Sequence, residues 1–248
     1  MSTHPLTGKV ALVTGGSRGI GAAIAKRLAQ DGADVALTYV SAPDKAQAAV
    51  ADIAGAGRRG LAIQADSADP GAIVAAIDRT VAEFGRLDIL VNNAGIFPNG
   101  PLESVTLDDV NRTLSIHVRA AFVAAQAAAR HMGSGGRIVS IGSCLAERVP
   151  APGITLYAMS KSALTGLTKG LARDLGLRGI TANVVHPGPI DTDMNPADGP
   201  GADEERKLLA IGAFGSAADI AATVAHLAGE GGRYITGAAI AVDGGFGA

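Results

Sequence analysis

The stretch VALVTGGSRGIGAAIAKRLAQDGADVALTY, residues 10–39, joins a predicted strand to a predicted helix through a glycine-rich turn. Gly15, Gly19 and Gly21 lie in this turn, and without Cβ atoms the backbone N–H groups can approach a pyrophosphate. The phosphate charge would then face the positive end of the helix dipole. The spacing G-x-x-x-G-x-G differs from the commoner G-x-G-x-x-G, so the pattern alone also fits a tight turn without a ligand. The strand–turn–helix order favours a dinucleotide site.

The same turn contains a G-x-S-x-G pattern, which is typical of the nucleophile turn of α/β-hydrolases. In those enzymes an acid and then a histidine follow the serine, which usually comes after several strands. Ser17 lies in the first unit of this chain, and Gly21 has no role in a hydrolase. We therefore reject the hydrolase and keep the dinucleotide turn, which explains all of the glycines.

Short apolar runs alternate with alanine-rich stretches of helical length along the whole chain. Near-continuous apolar strands, each followed by a helix, indicate a parallel sheet covered on both faces. The sequence thus predicts one α/β domain, residues 1–248, with a Rossmann-type doubly wound sheet of about seven parallel strands and helices on both faces. The predicted strands are 9–14, 34–39, 59–64, 87–92, 136–142, 180–186 and 238–243, and the helical segments include 20–31, 43–54, 70–84, 106–132 and 158–176.

Composition excludes several classes of function. A net charge of −2 provides no basic face for nucleic acid, and no apolar run approaches the ~20 residues of a membrane span. The first residues, MSTHPLTGK, lack the basic start and apolar core of a signal peptide. The single cysteine, Cys144, rules out an internal disulfide. We therefore expect a cytoplasmic protein that binds neither nucleic acid nor membrane.

One stretch, PIDTDMNPADGPGADEERK at 189–207, is rich in proline, glycine and aspartate. We interpret it as a mobile loop with a short charged helix, part of a substrate loop near 189–212 that could act as a lid. Its pattern matches the start of a calcium-binding loop. However, Pro196 occupies the position where such a loop needs a glycine for its sharp turn, and Ala202 occupies the position of the bidentate glutamate ligand. We predict no metal site, because no group of His, Cys or carboxylate residues has ligand spacing. Four histidines are scattered: His4, His131, His186 and His226.

Six motifs follow one another in a fixed order along the chain: Thr14-Gly15-x-x-x-Gly19-x-Gly21, Asn92-Asn93-Ala94-Gly95, Ser143, Tyr157-x-x-x-Lys161, Pro187-Gly188 and VDGG at 242–245. This set resembles the short-chain dehydrogenase/reductase family, and the resemblance covers nearly the whole chain. It implies an oxidoreductase that transfers a hydride between a nicotinamide cofactor and a carbonyl or alcohol.

The resemblance assigns catalysis to Ser143, Tyr157 and Lys161, and the residue types fit this chemistry. A helix places Tyr157 and Lys161, four residues apart, on one face. A free phenol has a pKa of ~10, and a neighbouring ammonium group favours its ionised form. Ser143, at the end of the fifth strand, can hydrogen-bond a carbonyl oxygen. Taken alone, the helix also fits an ordinary amphipathic helix with a buried tyrosine and a lysine that reaches solvent.

The resemblance also implies the cofactor contacts. Asp66 would bond the adenine amine, Asn93 and its neighbours would line the adenosine ribose, and Lys161 would also hold the nicotinamide ribose. NADP(H) is favoured over NAD(H), because the second strand ends in LTYVS without a carboxylate and Arg18 lies in the glycine turn. Alternatively, Arg18 only faces solvent. The full predicted set is Gly15, Ser17, Arg18, Gly19, Ile20, Gly21, Asp66, Asn93, Ala94, Gly95, Tyr157, Lys161, Pro187, Gly188, Ile190 and Thr192.

His117 lies in LSIHVRAAF, residues 114–122, where the family has an asparagine in a similar apolar pattern. That asparagine helps to hold a water that connects the lysine ammonium to solvent. We expect His117 to lie beside the active site and to support such a relay with an altered pH dependence, since a free imidazole titrates near pH ~6.5. The alternative is a core histidine whose hydrogen bonds are satisfied, without a relay role.

Two functions fit these residues. The first is an NADP(H)-dependent reductase that converts a 3-oxoacyl group or a similar small ketone to an alcohol, with Tyr157 as general acid/base. Within the family the chain resembles the 3-oxoacyl-carrier-protein reductases, and Arg130 and Arg173 stand near their carrier-docking positions, although each also fits a solvated helix charge. The second is a regulatory protein with little turnover, because the C-terminal part is similar to a family member that binds a cyclic dinucleotide and mediates biofilm dispersal.

The alanine-rich helical segment 106–132 favours close packing between subunits. We expect a homo-oligomer, and the resemblance points to a homotetramer built through the segments 106–132 and 158–176 and the C-terminal stretch.

Overall fold

The computed structural model describes residues 4–248, so the first three residues of the predicted domain lie outside the described part. The strands are β1 (Val10–Val13), β2 (Asp34–Tyr39), β3 (Gly60–Gln64), β4 (Ile89–Asn92), β5 (Arg137–Ile141), β6 (Thr181–Pro187), β7 (Ile190–Asp191), β8 (Gly215–Ser216) and β9 (Ala239–Val242). The α-helices are α1 (Gly19–Gln30), α2 (Pro43–Gly55), α3 (Pro70–Phe84), α4 (Leu107–Leu114), α5 (Ala120–His131), α6 (Thr155–Leu175), α7 (Ala202–Lys207) and α8 (Ala217–Ala228).

The central sheet has seven parallel strands in the order β3-β2-β1-β4-β5-β6-β9. This confirms the predicted doubly wound α/β fold. Strand order reverses between β1 and β4, which pair side by side with Val13 opposite Val91. At such a reversal the chain leaves the two strands towards opposite faces of the sheet, which opens a crevice beyond their carboxyl ends. Ligands of open α/β sheets bind in this crevice.

Alternation along the strands divides the core between the two faces. In β1, Ala11 and Val13 pack on the face covered by α1 and α8, whereas Leu12 packs on the opposite face with residues of α3 and α5. Strands that are buried on both sides are near-continuous apolar runs, and this explains the unbroken run VALV. The rigid sheet fixes the carboxyl ends of β1, β4, β5 and β6 relative to one another.

The structure modifies several predicted elements. The predicted helix 106–132 is interrupted by a π-helical turn at Ser115–Arg119, between α4 and α5. The predicted helix 158–176 begins earlier, at Thr155, so Tyr157 lies in its first turn. The helix α8 and the short parallel pair of β7 with β8 were not among the predicted segments. The charged helix expected within 189–207 is α7, and the mobility of that loop stays a prediction.

Candidate active site

The glycine turn between β1 and α1 has a shape that side chains would prevent. Gly15 and Gly19 have φ of +63° and +52°, a left-handed region that favours glycine. A Cβ on Gly21 would lie 2.3 Å from the carbonyl oxygen of Gly15 and 2.5 Å from Nδ2 of Asn93. Without side chains at these positions, the N-terminus of α1 can pack in direct backbone contact with the turn.

The N-terminus of α1 has no side-chain cap, which is also true of α2 and α6, whereas α4 and α8 are capped. Thr106 and Asp109 form a capping box at α4, and Ser216 with Asp219 does the same at α8. At α1 the N-cap residue Arg18 makes no capping hydrogen bond, and the first turn contains no acidic residue. Its free N–H groups and positive dipole end therefore suit an anion supplied by a ligand, and the turn fits a dinucleotide pyrophosphate.

The end of β4 is tied to this turn by Asn93. Its Nδ2 donates hydrogen bonds to the carbonyl oxygens of Thr14 and Gly15, both at 3.0 Å. In return, the backbone N–H groups of Asn93 and Ala94 donate to Oγ1 of Thr14, at 3.0 and 3.1 Å. The predicted ribose-lining residue thus also holds the two strand ends together at the crevice.

The substrate loop reaches across the crevice to the region where β2 ends. Nζ of Lys45 on α2 lies 2.6 Å from Oδ2 of Asp193, and Lys45, together with a smaller effect of Arg18, lowers the pKa of that carboxyl. Thr192 lies beside the turn, 3.6 Å from where a Cβ of Gly19 would be. Sequence reasoning missed Lys45, because only the fold brings it to a loop residue so distant along the chain.

The other predicted cofactor residues also lie along the crevice. Asp66 is exposed at the end of β3, where its carboxylate accepts a hydrogen bond from the N–H of Ala68 at 2.8 Å. Pro187 ends β6, and Gly188 is so close to Asp243 that a Cβ would lie 2.6 Å from its Cα. Ile190 is buried, while Ser17 and Ile20 are half-buried in the turn and the first turn of α1.

The three predicted catalytic side chains meet beyond the end of β5. Oγ of Ser143 accepts a hydrogen bond from the N–H of Leu145 at 3.2 Å, so its own proton can be donated elsewhere. Tyr157 and Lys161 lie one turn apart on α6, with Nζ of Lys161 at 5.7 Å from the centre of the tyrosine ring. The ring of Phe97 packs edge-on against Tyr157, with centroids 4.8 Å apart.

Burial determines the charge state of both α6 residues. It raises the pKa of the Tyr157 phenol to about 12, and the hydrogen bond to Ser143 opposes this only in part. Burial also lowers the pKa of Lys161 to about 8, while Nζ donates a hydrogen bond to the carbonyl oxygen of Ile141 at 3.0 Å. Desolvation of the phenolate thus outweighs any favourable effect of the Lys161 charge, and Tyr157 is protonated at neutral pH.

His117 lies in the π-helical turn, 3% exposed, with both ring nitrogens bonded to protein groups. Nε2 accepts a hydrogen bond from the N–H of Ile96 at 2.9 Å, so a neutral ring carries its proton on Nδ1, which lies 2.8 Å from Oγ of Ser160. Ser160 in turn donates to the carbonyl oxygen of Tyr157 at 2.7 Å.

These contacts change the expected role of His117. Burial and the charge of Lys161 lower its pKa to about 3, so the expected titration near pH 6.5 does not occur. Both nitrogens are already engaged, so the ring cannot bind a relay water without breaking one of these bonds. A cavity of about 10 Å³, room for about one water, is lined by His117 and Lys161. The placement beside the active site is as expected, and a relay through this cavity stays a prediction.

Sequence reasoning also missed a second buried histidine, His186 on β6. Its Nδ1 accepts a hydrogen bond from the backbone N–H of Ser143 at 3.0 Å. The only signal was its position next to Pro187-Gly188, which does not reveal a partner on another strand. Within residues 4–248, no group of three or more His, Cys, Asp or Glu residues could hold a metal ion. In the same part of the chain, no helix has both the length and the apolar character to cross a membrane.

Comparisons with known proteins show the family of this chain. A family model described as enoyl-(acyl carrier protein) reductase matches residues 15–247. A cyclic-di-GMP-binding biofilm dispersal mediator protein of Escherichia coli (strain K12) is 48% identical over 242 residues, which cover 98% of each chain. The chain belongs to the short-chain dehydrogenase/reductase family of oxidoreductases.

Two solved structures are closely similar. A short-chain dehydrogenase from Burkholderia cenocepacia J2315, in complex with NADP, has a TM-score of 0.97 and 64% identity over 98% of this chain and 100% of that chain. A blue fluorescent protein from a metagenomic library, in complex with NADPH, has a TM-score of 0.97 and 63% identity with the same coverage. Both neighbours hold the cofactor form that the sequence favours.

Proposed function

We propose that this protein is an NADP(H)-dependent reductase that converts a small ketone, a 3-oxoacyl group or a similar carbonyl, to an alcohol. The observation that carries the proposal is that Ser143, Tyr157 and Lys161 meet beside an uncapped helix N-terminus whose glycine turn fits a pyrophosphate. The NADP(H)-bound neighbours support the choice of cofactor.

The chain's own residues account for the proton and the charge. When bound, the cofactor supplies a hydride to the carbonyl carbon. Ser143 and Tyr157 donate hydrogen bonds to the carbonyl oxygen, and Tyr157, protonated below its pKa of about 12, delivers the proton to the oxygen as negative charge develops there. The ammonium of Lys161 stabilises the phenolate that remains.

The cofactor residues have separate tasks. The turn residues Gly15, Ser17, Gly19, Ile20 and Gly21 would cradle the pyrophosphate, and Arg18 would meet the 2′-phosphate. The segment from Pro187 to Thr192 would close over the nicotinamide end, and Asp66 with Asn93, Ala94 and Gly95 would border the adenosine. The Phe97 ring against Tyr157 adds an apolar wall beside the reacting oxygen.

The test is NADPH oxidation with ethyl acetoacetate as a 3-oxoacyl probe and acetophenone as an aryl ketone, for wild type and Tyr157→Phe. We expect Tyr157→Phe to lower kcat by ~10²–10⁴-fold while NADPH binding, followed by fluorescence titration, changes little. Tyr234→Phe, at a side chain that is 94% exposed, is the matched control and should keep full activity. Full turnover by Tyr157→Phe would contradict the proposal.

A second function, binding of a cyclic dinucleotide, is favoured by the name of the E. coli relative. The intact Ser143, Tyr157 and Lys161 favour turnover as the main activity. Calorimetric titration with cyclic di-GMP, with and without NADPH, separates the two functions, because a purely regulatory protein would bind it and reduce neither ketone. Arg130 and Arg173 are both exposed, and docking of an acyl carrier protein there stays a prediction. The cytoplasmic location also stays a prediction.

A further inference from the structure

His186 joins the active-site serine to the catalytic helix. Its side chain is 1% exposed, and its Nδ1 accepts the hydrogen bond from the N–H of Ser143. On the other edge of the ring, Nε2 lies 3.3 Å from Oγ1 of Thr165. Thr165 lies on α6 one turn beyond Lys161, so one imidazole links the end of β5 to the helix that carries the other two catalytic residues.

The residue before Ser143 must be a glycine for this link to form. A Cβ on Gly142 would lie 2.2 Å from Nδ1 of His186 and 2.6 Å from Cε1. Contacts this short do not occur between non-bonded atoms, so any side chain at Gly142 would displace the ring from the Ser143 N–H. The glycine just after β5 and the histidine on β6 are thus complementary in shape.

The partners of the ring define its protonation. Nδ1 accepts a hydrogen bond from a backbone N–H, so the proton of a neutral ring lies on Nε2 and points at the Thr165 hydroxyl. Burial lowers the pKa of His186, the Glu147 carboxylate opposes this, and the Lys161 charge adds to it. His117 holds its proton on the opposite nitrogen but makes the same kind of link, from the N–H of Ile96 to a hydroxyl of α6.

We propose that His186 is a positioning residue that holds Ser143 at its working distance from Tyr157 and Lys161. Ser143 lies just beyond β5, where the backbone leaves the sheet, so its N–H is no longer held by the strand ladder. The imidazole supplies the missing acceptor and anchors it to α6. The inference rests on the proposed reduction, because it concerns the placement of the hydroxyl that meets the carbonyl oxygen.

The experiment compares His186→Leu with His186→Asn. Leucine fills a similar volume without an acceptor, whereas Oδ1 of asparagine can occupy the place of Nδ1 and accept from the Ser143 N–H. The substrate is ethyl acetoacetate, or acetophenone if only that ketone is reduced. We expect His186→Leu to lower kcat by ~10–100-fold, because small misplacements of reacting groups reduce the rate on this scale. The Kd for NADPH should stay within about twofold of wild type. His186→Asn should recover most of the loss.

Hydrogen exchange of the Ser143 amide, measured by NMR without substrate, provides a second readout. The amide should be protected in wild type and His186→Asn and exchange at least about tenfold faster in His186→Leu. If His186→Leu does not fold, Thr165→Val decides, because it keeps the imidazole but removes its anchor on α6, and we expect a smaller loss of kcat, about threefold.

Each outcome bears on the proposal. The proposal is overturned if His186→Leu has the same kcat as wild type. It is also overturned if both His186 variants fold and lose kcat equally. If His186→Leu does not fold, an unchanged kcat in Thr165→Val overturns it. If wild type reduces neither ketone, the proposed function fails and exchange of the Ser143 amide alone decides. Protection of this amide in wild type and His186→Asn but not in His186→Leu supports the link. An unprotected amide in wild type refutes it.

Discussion

Lys161 is a cation in a buried position, with 5% of its surface exposed. Its pKa is lowered from 10.5 to about 8, so the ammonium is fully present below pH 8 and is lost as the pH rises through that value. Because reduction needs the ammonium and the protonated Tyr157, we expect kcat/KM to be flat at neutral pH and to fall about tenfold per pH unit above pH ~8.

The measurement is a pH–rate profile with NADPH and the better of the two ketones, with NADPH binding followed over the same range as the control. A profile that stays flat to pH 10 would show that Lys161 is not the titrating group. No inflection near pH 6.5 is expected from His117, whose pKa is about 3.

At this scale, the sequence predicts the catalytic residues but not the two histidine links. Tyr157 and Lys161 can be predicted because their spacing of four residues places them on one helix face, and Ser143 because the ordered motifs resemble those of the family. The roles of His117 and His186 depend on which nitrogen carries a proton, and tertiary partners decide that. A lone histidine in an apolar pattern contains no information about those partners.

At the scale of elements, the start of α1 and the first turn of α2 place cations near the glycine turn, Arg18 and Lys45. Arg18 is exposed and free of a capping role, and Lys45 holds Asp193 nearby. We expect wild type to bind NADPH at least several-fold more tightly than NADH. Arg18→Ala should remove most of this preference, since one charge-assisted phosphate contact is worth ~1 kcal/mol, or about fivefold in Kd.

Titration of both cofactors by fluorescence measures the effect. Lys26→Ala is the control, because Lys26 is an exposed cation on the same helix that pairs with Asp52 instead. Equal affinities of wild type for the two cofactors would contradict the predicted NADPH preference, and an unchanged preference in Arg18→Ala would assign the discrimination to other residues.

The elements themselves could be predicted where a local pattern decides them. The strands agree with the structure to within about two residues, because strands buried on both sides form near-continuous apolar runs. The π-helical turn at Ser115–Arg119 could not be predicted, because the continuous apolar pattern is also that of a straight helix. Within this turn, His117 makes hydrogen bonds to Ile96 and Ser160, and a local apolar pattern does not indicate such tertiary contacts.

At the scale of the whole molecule, the order of strands and helices determines the sheet, and the sequence predicts it well. The assembly is a separate question. Leu107 on α4, Phe122 on α5 and Met159 on α6 are 72%, 52% and 48% exposed, and apolar side chains on these helices suit a contact between subunits. We expect a homotetramer in which these helices pack between subunits.

Light scattering at micromolar concentration should give a mass of about four chains for wild type. Phe122→Glu, which places a charge in the expected contact, should shift the population towards smaller species. A monomeric wild type would contradict the prediction, and a tetrameric Phe122→Glu would place the contact elsewhere.

The buried histidine in the π-helical turn also makes the folded state sensitive to acid. Folded His117 has a pKa of about 3, whereas an unfolded histidine has ~6.5, so between these values the unfolded chain binds a proton that the folded chain does not. Stability is therefore unaffected by this group above pH ~6.5 and falls as the pH drops towards 3, by roughly 5 kcal/mol over the full window. The test variant is His117→Gln, whose side-chain oxygen can still accept from the N–H of Ile96. The unfolding free energy, measured by urea titration, should depend less steeply on pH in this window, by up to the slope that corresponds to one proton taken up on unfolding. His226→Gln, at an exposed position on α8, is the matched control, and an unchanged slope in His117→Gln would contradict the linkage. The burial of His117 beside the Lys161 charge would thus also set the lower pH limit at which this chain stays folded.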